Sequence, residues 1–209
     1  MLFYVICIFG GDAAIIILNL LTKNSLAENS AYSNKFLVIA GLLLIAGCIA
    51  LDGISAFLIR RLPEKWFRFN VDFHKVSKKE CKFYEKLGIK IWKDHILELG
   101  MFTAFSKKHV ADPESPEYIE RFILESNYGA LIHIVGVFLG FLLLALYPKN
   151  LLWRMSFPAA LINAFMNIFP FMILRYNLPR LHRMHTILIK KQQKKNNKKG
   201  KGGRSLFGL

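Results

Sequence analysis

Acidic residues are scarce in this chain, cysteines are few, and the common nucleotide and metal motifs are missing. Lys and Arg number 29 against 14 Asp and Glu. Such an excess raises nucleic acid as a partner, but no nucleic-acid-binding motif accompanies it, so the expectation is no nucleic acid. There is no Gly-rich phosphate loop ending in Lys and a hydroxyl residue, and no dinucleotide fingerprint. His-x-x-x-His and Cys-x-x-Cys are both absent, so a metal site has no support and none is expected. No serine stands in a nucleophile-elbow pattern. Cys7, Cys48 and Cys81 are too scattered for a disulfide framework and read as small apolar packing residues.

What the chain does have is long apolar runs. Hydrophobic residues make up 54% of it, more than a soluble domain of this size carries. They cluster in four stretches, about 1–21, 36–59, 129–147 and 155–174. Each is long enough to cross a bilayer as a helix, which takes roughly 20 residues. Helices are the form that satisfies so much backbone in hydrocarbon. The fold class that follows is an all-α integral membrane protein with about four transmembrane helices. Residues 1–190 form a single membrane domain, and 191–209 form a basic tail whose Lys, Asn, Gln and Gly content predicts disorder. No Lys or Arg precedes the first run, and the run is longer than a usual signal core, so it reads as a retained helix rather than a signal peptide.

The basic residues are unevenly placed. Lys23, Lys35, Lys149 and Arg154 are the only ones in the connections after the first and third runs; the rest lie in 60–127 or beyond Leu174. The positive-inside rule then puts 60–127 and both termini in the cytoplasm. Residues 65–85 interleave aromatic and charged side chains, as in a surface lying in the headgroup layer. Leu87–Leu99 reads as an amphipathic helix, with Ile89, Trp92, Ile96 and Leu99 on one stripe and Asp94 and Glu98 opposite. Gly100 suits its stop, and Ser115–Pro116 starts another helix feeding into the third span. Between spans two and three there is therefore an interfacial helical segment on the cytoplasmic face.

Chemistry is left to histidines near carboxylates on a surface rich in arginine. His95 with Asp94 and Glu98 is one candidate, since a carboxylate-oriented histidine takes a hydroxyl proton near neutral pH. His133, inside an apolar span, is another, because such a residue needs a partner and marks a site by default. Glu125 lies two turns before it. His109 and Glu114 have an acyltransferase-like gap, but with Glu in place of Asp and prolines on either side, and read as coincidence. Arg175, Arg180 and Arg183 offer guanidinium forks for phosphate or carboxylate. In the fourth span, Asn163, Asn167, Pro158 and Pro170 suggest a kinked helix with freed carbonyls.

Arg61–Leu–Pro–Glu–Lys–Trp–Phe67, Phe83–Tyr–Glu–Lys86, Lys90–Ile–Trp–Lys–Asp94, Leu97–Glu98, Glu125 with Leu131–Ile–His133, Asn167–Ile–Phe–Pro170, Arg175–Tyr–Asn177 and Pro179–Arg–Leu181 occur in this order. Over roughly residues 40–190 the chain resembles the glycosyl-diaponeurosporenoate acyltransferases. Those are small bacterial membrane proteins that acylate the sugar of a glycosylated carotenoid, the last step to a staphyloxanthin-type pigment. The helix at 1–21 and the lysine-rich tail are additions to that pattern, and the pattern does not demand histidine at His95.

The resemblance implies an acyltransferase of the bacterial cell membrane. The donor would be acyl-CoA or another acyl thioester, the acceptor a lipid-linked glycoside, with membrane lipid as the remaining partner and no cofactor. His133 is the expected base, with Glu98 or Glu125 orienting it. Trp92, Asp94, His95, Asn167, Arg175, Tyr176, Asn177 and Arg180 are expected at the substrates. The competing expectation is a membrane scaffold or lipid-binding subunit without catalysis.

Overall fold

The structure is a computed structural model and describes residues 6–23, 31–68, 71, 75–96 and 112–204. Among these residues it is helical and contains no strand. The main helices are α1 (Gly11–Leu21), α2 (Asn34–Ile59), α3 (Lys78–Lys86), α4 (Ile89–Trp92), α5 (Pro116–Leu139) and α6 (Phe157–Arg204). Among the described residues, three helical stretches are long and apolar enough to cross a membrane: Asn34–Ile59, Pro116–Leu146 and Lys149–Asn197. The first apolar run contributes a wide π-type turn, Ile6–Gly10, and the shorter helix α1.

The ends of these helices follow from local chemistry. Ser33 caps α2, its Oγ accepting from the Phe36 amide at 3.1 Å. Ser115 caps α5 in the same way for Tyr118, with Pro116 in the first position, where its missing N–H leaves nothing unpaired. Past Leu139 the helix tightens into a 3-10 stretch, Gly140–Leu146. The last helix is longer than its apolar run. Pro158 lies in its first turn, and the helix continues past Pro170, Pro179 and the membrane-length segment to Arg204. Of the basic stretch expected to be disordered, residues 191–204 belong to α6.

The largest difference from the sequence expectation lies between the second and third apolar helices. In the described part of the helix expected over Leu87–Leu99 there is only the short α4, and a second short helix, α3, precedes it. Ser77 accepts from the Glu80 amide at 3.1 Å and starts α3. Gly88 then takes φ 73°, a left-handed turn that ends one helix and admits the next. A 3-10 turn, Lys93–His95, follows α4. Glu98, Leu99, Gly100 and His109 lie outside the described residues.

α5 and α6 form the most extensive contact; α2 packs on α5, and α1 on α2 and α6. α2 and α5 run antiparallel, since the start of α2 lies with Leu143 and its end with Leu124. At one end, Leu37, Ala40 and Leu44 meet Leu143, Leu151 and Met155. At the other, Ile59 and Phe67 meet Leu124 and Tyr128. α3 and α4 lay Tyr84, Ile89 and Trp92 on Phe169, Met172 and Ile173 of α6. The outer surface is apolar as well, with Leu43, Ile49, Phe57, Phe138, Leu142 and Phe165 exposed. A belt of that kind is suited to hydrocarbon rather than water.

Candidate active site

The close approach of α5 to α6 depends on glycine. A Cβ added at Gly136 would sit 2.6 Å from Asn167 Oδ1, and one at Gly140 would sit 2.9 Å from Asn163 Nδ2. At Gly129 it would come within 2.9 Å of Leu174 Cδ1. Gly136 and Gly140 are four residues apart, so they share a helix face. Small residues at that spacing let two apolar helices approach closely. Here the space is filled by two asparagine side chains from α6.

Those asparagines organise a buried polar centre. His133 Nδ1 lies 3.0 Å from Asn167 Oδ1. Asn167 Nδ2 donates to Asp52 Oδ2 at 2.7 Å and to the carbonyl of Asn163 at 3.1 Å. Asn163 Nδ2 donates to the carbonyl of Gly136 at 3.1 Å. Asn163 and Asn167 are 7% and 5% exposed, so their amides have little water to turn to. The Asn163 carbonyl can only accept, and therefore it faces the Asn167 NH2 group. Asn167 Oδ1 is then the atom turned to His133, and an acceptor needs a donor. The neutral imidazole accordingly carries its hydrogen on Nδ1 and keeps the lone pair on Nε2. Asp52 Oδ1 is buried and has no hydrogen-bond partner among the described residues.

A second polar layer lies at the end of the apolar helices. Glu125 accepts from Arg60 at 2.8 Å and from Arg121 at 2.9 Å, and Arg121 also reaches Glu64 at 2.9 Å. Glu125 and His133 are eight residues apart on α5, about 12 Å along the axis. Arg60 and Asp52 are also eight residues apart at the end of α2. The buried centre therefore lies about 12 Å deeper than the ion-pair layer. The structure joins Glu125 to arginines and His133 to Asn167; it does not bring Glu125 and His133 together.

Arg175 is held in the same outer layer. Its Nε and one terminal nitrogen each donate to Glu80 at 2.8 Å, one to each carboxylate oxygen. Tyr84 donates to the same carboxylate at 2.7 Å. Burial pushes the Glu80 carboxyl up, but the bonds from Arg175 and Tyr84 outweigh it and hold it below its ordinary value. Burial, then Glu80, pushes the Tyr84 hydroxyl well up. Tyr176 donates to Glu85 at 3.0 Å, and Lys90 pairs with the same carboxylate. These bonds fasten α3 and α4 to α6.

The other expected site residues lie around this clamp. Trp92 Nε1 donates to the Leu87 carbonyl, and the ring meets Phe169 edge-on at 5.0 Å. Asp94 and His95 lie in the 3-10 turn after it. Asn177 and Arg180 are 10 and 13 residues beyond Asn167 on one helix, roughly 15 and 20 Å along its axis. The structure thus brings together His133 and Asn167 from the expected set and adds Asp52 and Asn163. Two signals in the sequence point to the additions: Asp52 is the lone charge in its apolar run, and Asn163 and Asn167 have i, i+4 spacing. No group of His, Cys, Asp and Glu suited to a metal ion occurs among the described residues.

No curated protein and no solved structure matches the chain. One family does match, CrtO, described as glycosyl-4,4'-diaponeurosporenoate acyltransferase, over residues 63–187. That stretch is more than half of the chain and contains His133, Asn163, Asn167 and the Glu80–Arg175 pair. It leaves α1 and α2, with Asp52, outside. On this match the chain belongs to the glycosyl-4,4'-diaponeurosporenoate acyltransferase family.

Proposed function

We propose that the protein is a four-span enzyme of the bacterial cell membrane that moves a fatty acyl group from a thioester donor to a hydroxyl of a lipid-linked sugar. The family's description supports a glycosylated carotenoid as the acceptor. Both termini would be cytoplasmic, as the basic residues of 60–127 and of the tail favour. The reading is carried by one observation above the others: the half-buried His133 has Nδ1 committed to Asn167, which leaves Nε2 as its free base.

The chemistry needs one proton carrier. His133 Nε2 takes the proton of the acceptor hydroxyl while its oxygen attacks the thioester carbonyl carbon. The tetrahedral intermediate collapses, the C–S bond breaks, and the thiolate leaves with the proton returned from Nε2. The products are an acylated sugar and a free thiol, and no cofactor enters the balance. Asn167 acts as the orienting partner in this scheme, because its oxygen and both amide hydrogens are engaged within the protein. Arg175 is occupied by Glu80, so the exposed Arg180 is the better placed guanidinium for the donor's phosphates. The acceptor hydroxyl must descend below the ion-pair layer, as a lipid-anchored sugar lying in the leaflet can.

The test is lipid mass spectrometry of membranes from a host that makes the glycosylated carotenoid. Host membranes without the protein, with the wild type and with His133→Ala are compared. A lipid gaining one acyl chain with the wild type alone is expected, the variant losing about 100-fold or more. Equal lipid profiles in all three would sink the transferase; full acylation by His133→Ala would remove His133 from the role of base.

A further inference from the structure

We infer that Asp52 is a positioning residue for the acyl transfer, acting on His133 through the amide of Asn167. The inference rests on the reading of His133 as the base. Asp52 comes from α2, which lies outside the family match, and it meets Asn167 across 115 residues of sequence.

A carboxylate in the middle of an apolar helix is expensive and needs a reason. Ordinary structural needs do not supply one here. Asp52 pairs with no Lys or Arg among the described residues, and one of its oxygens is buried without a partner. Its other oxygen holds the Asn167 amide, whose opposite end holds the imidazole.

The chain Asp52–Asn167–His133 has a direction. The carboxylate accepts, the amide donates to it and accepts from Nδ1–H, and the lone pair is left on Nε2. When Nε2 takes the substrate proton, a positive charge forms in a poorly screened interior. The carboxylate is the negative group connected to it, and it polarises the amide so that Oδ1 holds Nδ1–H more tightly. The proton does not pass to Asp52; it stays on His133 until the thiolate takes it. Acting through an intervening amide, Asp52 should matter less than a carboxylate bonded directly to a catalytic histidine, whose loss costs about 10,000-fold.

The experiment uses the full chain in membranes, with radiolabelled palmitoyl-CoA and glycosyl-4,4'-diaponeurosporenoate as the probes. Asp52→Asn keeps the shape and removes the charge. It is expected to lower kcat about 10- to 100-fold, with KM for both substrates within about twofold. In an Asn167→Ala background the same change is expected to cost less than about twofold, because the connection is already cut. Asp52→Glu, which restores the charge, is expected to recover part of the loss. Thermal unfolding in detergent is followed for every variant. Wild-type kcat in Asp52→Asn, or equal losses in both backgrounds, overturns the inference. Activity lost in His133→Gln but kept in Asp52→Asn removes the positioning role alone. Full activity in His133→Gln, or no transfer by the wild type, removes the base and the positioning role together.

Discussion

The two polar layers of this protein are built on opposite principles. The outer layer uses full charges with slack: Glu125 is shared by Arg60 and Arg121, and Arg60 is half exposed. The inner layer, about 12 Å deeper, uses amides, an imidazole and one carboxylate, each atom turned one way. In the outer layer water and neighbouring arginines can replace a lost partner, so geometry is forgiving. In the inner layer nothing replaces it, and the glycines of α5 set how closely the parts meet. Precise proton transfer belongs in the second kind of place, and fastening of segments in the first.

The sharpest way to break the inner layer without touching a polar atom is to fill the gap beside it. Gly136→Ala would put a Cβ 2.6 Å from Asn167 Oδ1, nearer than real Cβ atoms come. Asn167 must move, and His133 loses its orientation. Displacement of about 1 Å near a reacting group costs about 100-fold in rate. The control is Gly53→Ala, one residue from Asp52, where an added Cβ meets nothing within 4 Å. Transfer assays should show the large loss at 136 and near-wild-type activity at 53. Equal activity in the two would mean that the Asn167 contact does not limit the reaction.

How far the sequence discloses these layers depends on the reach of its patterns. Apolar runs mark the membrane-length helices, Ser115–Pro116 marks the start of α5, and a histidine in an apolar run marks the candidate site. All of these are local signals. Hydropathy measures the thickness of hydrocarbon, not the length of a helix, so it finds 155–174 and not the continuation of α6 to Arg204. The Ser77-x-x-Glu80 start and the Gly88 stop are also local, but an alternation of aromatic and charged residues masks them. Gly136–Gly140 is a legible pair once asparagines are sought opposite it. Asp52 to Asn167 and Glu80 to Arg175 are tertiary contacts, 115 and 95 residues apart, and no periodicity within a helix encodes them.

The Glu80–Arg175 pair tests whether the outer layer fastens or binds. If Arg175 held donor phosphates, Arg175→Lys would raise donor KM steeply and Glu80→Gln would leave it alone. As a clamp, the two changes should behave alike. Each loses charge-assisted bonds worth about 1.5–3 kcal/mol to the docking of α3 and α4, with a smaller loss of activity than at Gly136. Hydrogen exchange over 78–92 reads this directly. The same clamp has an acid limit. Glu80 is held below its ordinary value of 4.5, so its contribution is complete above that pH and is lost as pH falls through the depressed value. Protection of α3 should be flat from neutral pH to about 5 and fall below 4.5, and Glu80→Gln should abolish that step.

The smallest effect is expected at Arg60, and its smallness is informative. Arg60 and Glu125 make a short contact at 2.8 Å, which a count of ion pairs would rank among the important ones. Yet the Arg60 side chain is 54% exposed, and Glu125 keeps Arg121 at 2.9 Å when Arg60 is removed. An exposed pair of this kind contributes about 0–1 kcal/mol. Arg60→Gln should therefore leave transfer within about twofold and the unfolding temperature nearly unchanged. A loss as large as that of Gly136→Ala would place Glu125 in the reaction, since Glu125 is the group that ties the Arg60 side chain to α5. It would support the sequence expectation that Glu125 assists the base. Near-neutrality leaves the support of His133 with Asn167 and the carboxylate behind it.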